Sequence, residues 1–134
     1  MKRLSAVIER AEGNFSAYLR EVDGITVTGK SIDEIKVSLT DAIEDYIDFC
    51  EENNIVLPPE LQGRYEIVFE LDICSLLSIY EGIFSKSGLE KLTGINQKQL
   101  WHYAKGISTP RPAQRQRIEN ALHRLGSELL SISL

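Results

Sequence analysis

The sequence predicts an α+β chain of two domains, a β-β-β-α-β domain over residues 1–71 and an all-α domain over residues 72–134. Three observations predict it. Apolar and polar residues alternate in three short runs before residue 30 and again over 65–71, the period of strands with one buried face. Between them Ser31 to Glu52 carries apolar residues at helical spacing. Beyond residue 72 the alternation stops, and only helical spacing remains, broken at Gly94, Gly106 and Pro110.

The first strand spans Arg3 to Arg10, with Leu4, Ala6 and Ile8 on one side. Glu12-Gly13-Asn14 is a turn signal. Phe15, Ala17 and Leu19 then alternate with Ser16, Tyr18 and Arg20, which gives a hairpin. Asp23-Gly24 turns the chain into a β-branched third strand, Ile25 to Thr28. Three short strands cannot bury themselves, so another element must cover one face. Ser31 and Glu34 form a capping box for that element, and Asp33 adds negative charge to its first turn. Ile32, Ile35, Leu39, Ala42, Ile43, Tyr46, Ile47 and Cys50 make one stripe, opposite Lys36, Asp41, Glu44, Asp45 and Asp48. Such an acidic face fits a basic partner or a cation, but a solvated surface is its commoner meaning. Pro58-Pro59 forces a loop, and Tyr65 to Leu71 returns as the fourth strand.

Asp72 caps the next helix, whose apolar side holds Ile73, Leu76, Leu77 and Tyr80 and extends to Ile83 and Phe84. Ser85 then caps a short helix carrying Leu89 and Leu92, Gly94 stops it, and Ile95 pins the corner. Asn96 caps a second short helix, Gln97 to Lys105, which Gly106 ends. Leu100 with Tyr103 or Ala104 faces inward, leaving Gln97, Lys98, His102 and Lys105 outward. Amides pair with adenine edges and cations with guanine or phosphate, so the pattern is that of a helix-turn-helix that reads DNA. An ordinary corner of a helical core would share it. Thr109 and Pro110 start the last helix, with Ile118, Ala121, Leu122 and Leu125 inward and Arg111, Arg115, Arg117 and Arg124 along it. The apolar tail LLSISL suits either a dimer contact or packing onto the bundle.

Charge separates the DNA-binding reading from the ordinary corner. Residues 85–134 hold eight Lys or Arg against three acids, whereas residues 1–84 hold seven against seventeen. The overall charge of −5 hides a basic end on an acidic protein. A chain of 134 residues with 43% hydrophobic content is long enough for two small folded domains. No apolar run is long enough for a membrane span, and acids come too early for the apolar core of a signal peptide, so the cytoplasm is the expected location. Cys50 and Cys74 form no CxxC pair and sit in predicted helices, and His102 and His123 lack companions at ligand spacing. Buried thiols, no metal and no cofactor are expected.

The order of these parts resembles the HicB family of antitoxins. FSAYLREVDGITVTGKSIDEIKVSLTDAIEDYIDF followed by NNIVLPPE carries the likeness in the first domain, and with the second domain it covers essentially the whole chain. The stretch SGLEKLTGINQKQLWHYAKGISTP separately resembles the helix-turn-helix of Cro and phage repressors. Two departures stand out. Many HicB proteins have a proline-containing stretch after the second strand, where this chain reads LREVDGITV, and the small residue usual in the first helix of the DNA module is Glu90. The resemblance implies a ribonuclease-H-like N-terminal domain without a working carboxylate cluster, hence no enzyme. Glu9, Glu12 and Glu21 are then surface charge, since two-metal hydrolysis needs carboxylates that converge.

The same resemblance implies an antitoxin that neutralises a HicA-type mRNA-cleaving toxin through its N-terminal domain and represses its own operon by binding operator DNA. Lys86 would stand at a phosphate, Gln97, Lys98 and His102 at bases, and Ser108 and Thr109 in a backbone-contacting loop. A homodimer or higher homo-oligomer follows from the few bases one short helix reads. Two other readings are a stand-alone helix-turn-helix regulator whose N-terminal domain senses a ligand or partner, and an interaction module that no longer binds DNA.

Overall fold

The computed structural model describes residues 1–134, and the chain forms two compact units, Met1–Asp72 and Ile73–Leu134. It is an α+β protein with one mixed four-stranded sheet and five α-helices.

In the first unit the alternating runs become β1 (Lys2–Ala11), β2 (Asn14–Leu19) and β3 (Thr26–Gly29). They form an antiparallel meander, with Ile8 opposite Ala17 and Ala17 opposite Val27. β3 starts one residue later than expected; Ile25 lies just before it and is buried, so the side chain joins the core although its backbone is outside the ladder. Where β2 ends, the Glu21 carboxylate accepts the Ser5 N–H at 2.7 Å and Arg20 donates its N–H to the Ser5 carbonyl. Glu21 is thus occupied with closing the hairpin ladder.

α1 (Ile32–Glu52) covers the sheet. The Ser31 hydroxyl accepts the Glu34 N–H, while the Glu34 carboxylate takes the N–H of Lys30 at 2.7 Å instead of that of Ser31. Both halves of the expected box work, one of them shifted by a residue. Ile35, Leu39 and Ile43 are fully buried and meet Leu4, Ala6, Ile8, Ala17 and Leu19 of the sheet. The acidic residues of α1 are exposed, as their spacing requires. After α1 the two prolines do not form a plain loop. Pro59–Leu61 winds into a single 3₁₀ turn, which buries Leu61 in the same core.

β4 (Tyr65–Leu71) then pairs with β1 in parallel, Leu4 beside Ile67 and Ile8 beside Leu71, giving the order β3-β2-β1-β4. Arg3–Glu66 and Arg20–Glu70 ion pairs decorate the face away from α1. Burial, and secondarily the charge of Glu44 on α1, pushes the Tyr65 phenol above its ordinary range.

The second unit contains α2 (Ile73–Ile79), α3 (Lys86–Thr93), α4 (Gln97–Ala104) and α5 (Pro112–Leu130). Ile73, Leu89, Ile95, Leu100, Tyr103 and Ile118 form its core. Cys74 is only half-buried and its thiol donates to the Ala104 carbonyl at 3.4 Å, while Cys50 is fully buried; neither is in a disulfide. Three expectations need correction. Ile83 points to solvent, 74% exposed, because α2 stops at Ile79 and the next residues turn. The last helix begins at Pro112, with Arg111 at its N-cap, not at Thr109-Pro110; the ring of Pro112 costs nothing at the first helical position, where its missing N–H has no partner to lose. The tail does not pack onto the bundle, since Leu129, Leu130, Ile132 and Leu134 are all exposed.

Leu39 is enclosed on every side, so Leu39→Ala should lower the stability of the first unit by about 2–5 kcal/mol. Urea unfolding followed by circular dichroism checks this; the exposed Asp41→Ala should change stability by no more than about 0.5 kcal/mol.

Candidate functional site

Neither α3 nor α4 is long enough to persist alone, at eight residues each. Their geometry therefore comes from caps and from the corner between them. The Ser85 hydroxyl accepts the Gly88 N–H at 3.0 Å, starting α3. At the other end Gly94 adopts φ +75°, the left-handed cap that a side chain resists. Its N–H reaches the Glu90 carbonyl at 2.7 Å. Thr93, which the sequence did not single out, is buried and locks the corner twice. Its hydroxyl donates to the Leu89 carbonyl at 2.7 Å and accepts the Ile95 N–H at 3.1 Å.

α4 starts with two side-chain caps. Asn96 accepts the Gln99 N–H at 2.9 Å through its amide oxygen. The Glu90 carboxylate, reaching over from α3, accepts the Gln97 N–H at 3.1 Å. A negative charge at a helix N-terminus is favourable, and here it also ties one helix to the next. Position 90 thus carries a side chain long enough to cap the following helix.

Leu100 and Tyr103 hold α4 on the core, 0% and 5% exposed. Gln97, Lys98 and Lys105 are exposed, as their spacing implies. His102 differs: it is half-buried, and its ring lies 5.6 Å from that of Trp101 at an interplanar angle of 57°. Trp101 itself is 42% exposed and belongs to the outward stripe, three residues after Lys98 and four before Lys105. It was missed because tryptophan is usually taken for core, although its spacing places it opposite Leu100 and Tyr103. Lys86 stands exposed at the first position of α3.

Beyond α4, Gly106 takes φ +73° and the chain folds back, with the N–H groups of Ile107 and Ser108 both directed at the His102 carbonyl. Ser108 is half-buried and its hydroxyl accepts from the Gln99 amide at 3.1 Å, so it fixes this loop to α4. Thr109 is exposed. An open groove of about 510 Å³ separates the α3–α4 corner from the start of α5, lined by Asn96, Gln99, Thr109, Arg111 and Arg117 among others. Arg117 lies over the corner, its guanidinium nitrogen 2.6 Å from where a side chain at Gly94 would begin. The structure thus gathers Gln97, Lys98, Trp101, His102 and Lys105 on one helix face, and Thr109 with two arginines beside the start of that helix. Chemically this is a surface of amides, cations and one aromatic ring, suited to anionic and base-edge ligands.

No group of three His, Cys, Asp or Glu side chains is placed to hold a metal ion, and no helix is long and apolar enough to cross a membrane.

Gly94→Ala should destabilise the second unit by about 1–2 kcal/mol through the left-handed backbone, Arg117 being free to swing aside. Glu90→Ala should cost about 1 kcal/mol through loss of the cap at Gln97. Thermal melts of both variants, compared with Glu90→Gln, measure the two contributions. Compared with known proteins, the chain matches no family model, no curated protein and no solved structure.

Proposed function

We propose that the second unit is a helix-turn-helix that binds operator DNA with α4 in the major groove, and that the first unit binds and neutralises a small basic toxin of the HicA type. The observation that carries the DNA reading is the exposed stripe Gln97, Lys98, Trp101, His102 and Lys105 on a helix fixed from behind by Leu100 and Tyr103. Gln97 and Lys98 occupy the first turn, the end of a short helix that enters a groove deepest. Thr109, Arg111 and Arg117 line the groove beside the start of α4 with groups that suit phosphate oxygens, and Lys86 stands exposed at the first position of α3. Ser108 serves this surface from behind, by holding the loop that presents Thr109.

Glu90 tempers the surface. Because its carboxylate takes the Gln97 N–H, that amide is not offered to a phosphate, and a negative charge stands at the helix start. Affinity then leans on side chains of the stripe, which read bases, more than on the helix terminus, which does not.

The partner reading is supported by the outer face of α1. Asp33, Asp41, Glu44, Asp45 and Asp48 are exposed there, and Val37 is 61% exposed among them. Phe49, Ile55 and Val56 expose further apolar surface at the end of the helix and just beyond it. Acidic groups around apolar contact points favour a cationic protein over a small cation, because the charges steer and the apolar groups hold. A two-fold dimer on a palindromic operator completes the proposal, since one α4 contacts few base pairs.

The test pairs two assays on one variant. Gln97→Ala with Lys98→Ala should abolish binding to the promoter of the chain's own operon while leaving rescue of growth from the neighbouring basic gene product intact. Wild-type affinity should fall steeply with salt, and Arg117→Ala should flatten the logarithmic slope by about 1. Trp101 is the sole tryptophan, so its fluorescence should change on adding promoter DNA. Equal loss of both activities in the double variant would refute the division of labour.

A further inference from the structure

The outward face of α4 carries one apolar group among polar ones. Only Gln97, Lys98 and Trp101 of this helix are exposed, Trp101 by 42%. Trp101 lies one turn after Gln97 and Lys98 and one turn before Lys105, so polar side chains bracket it along the helix. Leu100 and Tyr103, both buried, hold the opposite face on the core, and the indole cannot turn inward without unseating them. The other aromatic residues of this unit, Tyr80, Phe84 and Tyr103, are all wholly or partly buried. His102 stands at one side of the indole, the ring centroids 5.6 Å apart. A single exposed apolar residue is ordinary on a protein surface. One set in the middle of a stripe suited to a polyanion has a use only where the ligand offers an apolar group in return.

We propose that Trp101 makes this surface selective for thymine, packing its ring on the C5-methyl group of a thymine in the major groove. This rests on the DNA reading of the second unit and says which base its stripe selects. The edges that bases present in that groove are hydrogen-bond donors and acceptors, and the thymine methyl is the one apolar group among them. An indole combines an apolar ring with a single N–H and accepts nothing. Thymine matches both parts, since its methyl lies beside the O4 acceptor. Guanine offers acceptors without an apolar group, and adenine and cytosine each present an amino donor that an indole cannot take. Uracil keeps O4 and lacks only the methyl, so exchanging thymine for uracil isolates the contact.

Two copies of the promoter of the chain's own operon, made enzymatically with thymidine or with deoxyuridine triphosphate, differ only in those methyl groups. Titration of the full chain against each, at one salt concentration, reads the ratio of affinities. The wild type should bind the thymine form more tightly, by about fourfold for each methyl that it covers. Trp101→Ala should bind both forms alike, and no more tightly than the wild type binds the uracil form. Its circular dichroism spectrum should match that of the wild type, because the indole fills no part of the core. Equal affinity of the wild type for the two forms overturns the inference and leaves DNA binding standing. So does a preference for thymine that survives in Trp101→Ala. Should the wild type bind neither form, the DNA reading itself falls, and the inference with it. The wild-type comparison needs no variant, so it decides even where Trp101→Ala fails to fold.

Discussion

The second unit depends on the corner that joins α3 to α4. An eight-residue helix contributes little stability of its own, and α4 has only Leu100 and Tyr103 among its buried residues. Its direction is decided by what grips its first turn. Gly94 permits the reversal, Thr93 satisfies two backbone groups that the reversal would strand in the core, Ile95 fills the space beneath, and Asn96 and Glu90 hold the new helix at its start. Because each of these satisfies a buried or partly buried polar group or fills a cavity, the arrangement has few alternatives. A rigid corner is also what lets an outward stripe keep constant spacing, on which any recognition of a regular ligand relies.

Much of this was legible because it is local. The caps at Ser31, Ser85 and Asn96, the left-handed Gly94 and Gly106, the two-residue alternation of β1, β2 and β4, and the stripe of α1 each depend on residues within a few positions of one another. What was not legible is what joins distant segments. No local pattern states that β4 lies beside β1 and parallel to it, since alternation gives a strand its faces but not its neighbour. Leu61 and Thr93 look like loop and cap residues until the chain folds over them. The start of α5 lies a few residues later than expected because Pro112 disfavours helical backbone at Arg111, which is extended, so a helix cannot run on from Pro110.

The candidate site divides along the same line. Gln97, Lys98 and Lys105 could be placed by helical spacing alone. His102 could not be resolved from spacing: it is half-buried, its ring beside the neighbouring indole. Glu90 was legible as an oddity but not as a cap, since its partner is seven residues away on another helix. Arg111 and Arg117 could be counted as cations from the sequence; that they share a groove with Asn96 and Thr109 follows only from how α5 returns past the corner.

The parallel pairing of β1 with β4 sets an order of events in synthesis. Lys2 must wait for Tyr65, and Ile8 for Leu71, so the inner strand of the sheet lacks one of its two neighbours until nearly the whole first unit has been made. At about 5–20 residues per second that interval lasts several seconds, during which the β1–β2 hairpin leaves one edge unpaired. The helical unit has no such debt: α3 and α4 touch through residues close in the chain, and low contact order makes for rapid folding. The unit made second is therefore able to close almost as it emerges, and the unit made first is the slower to become competent.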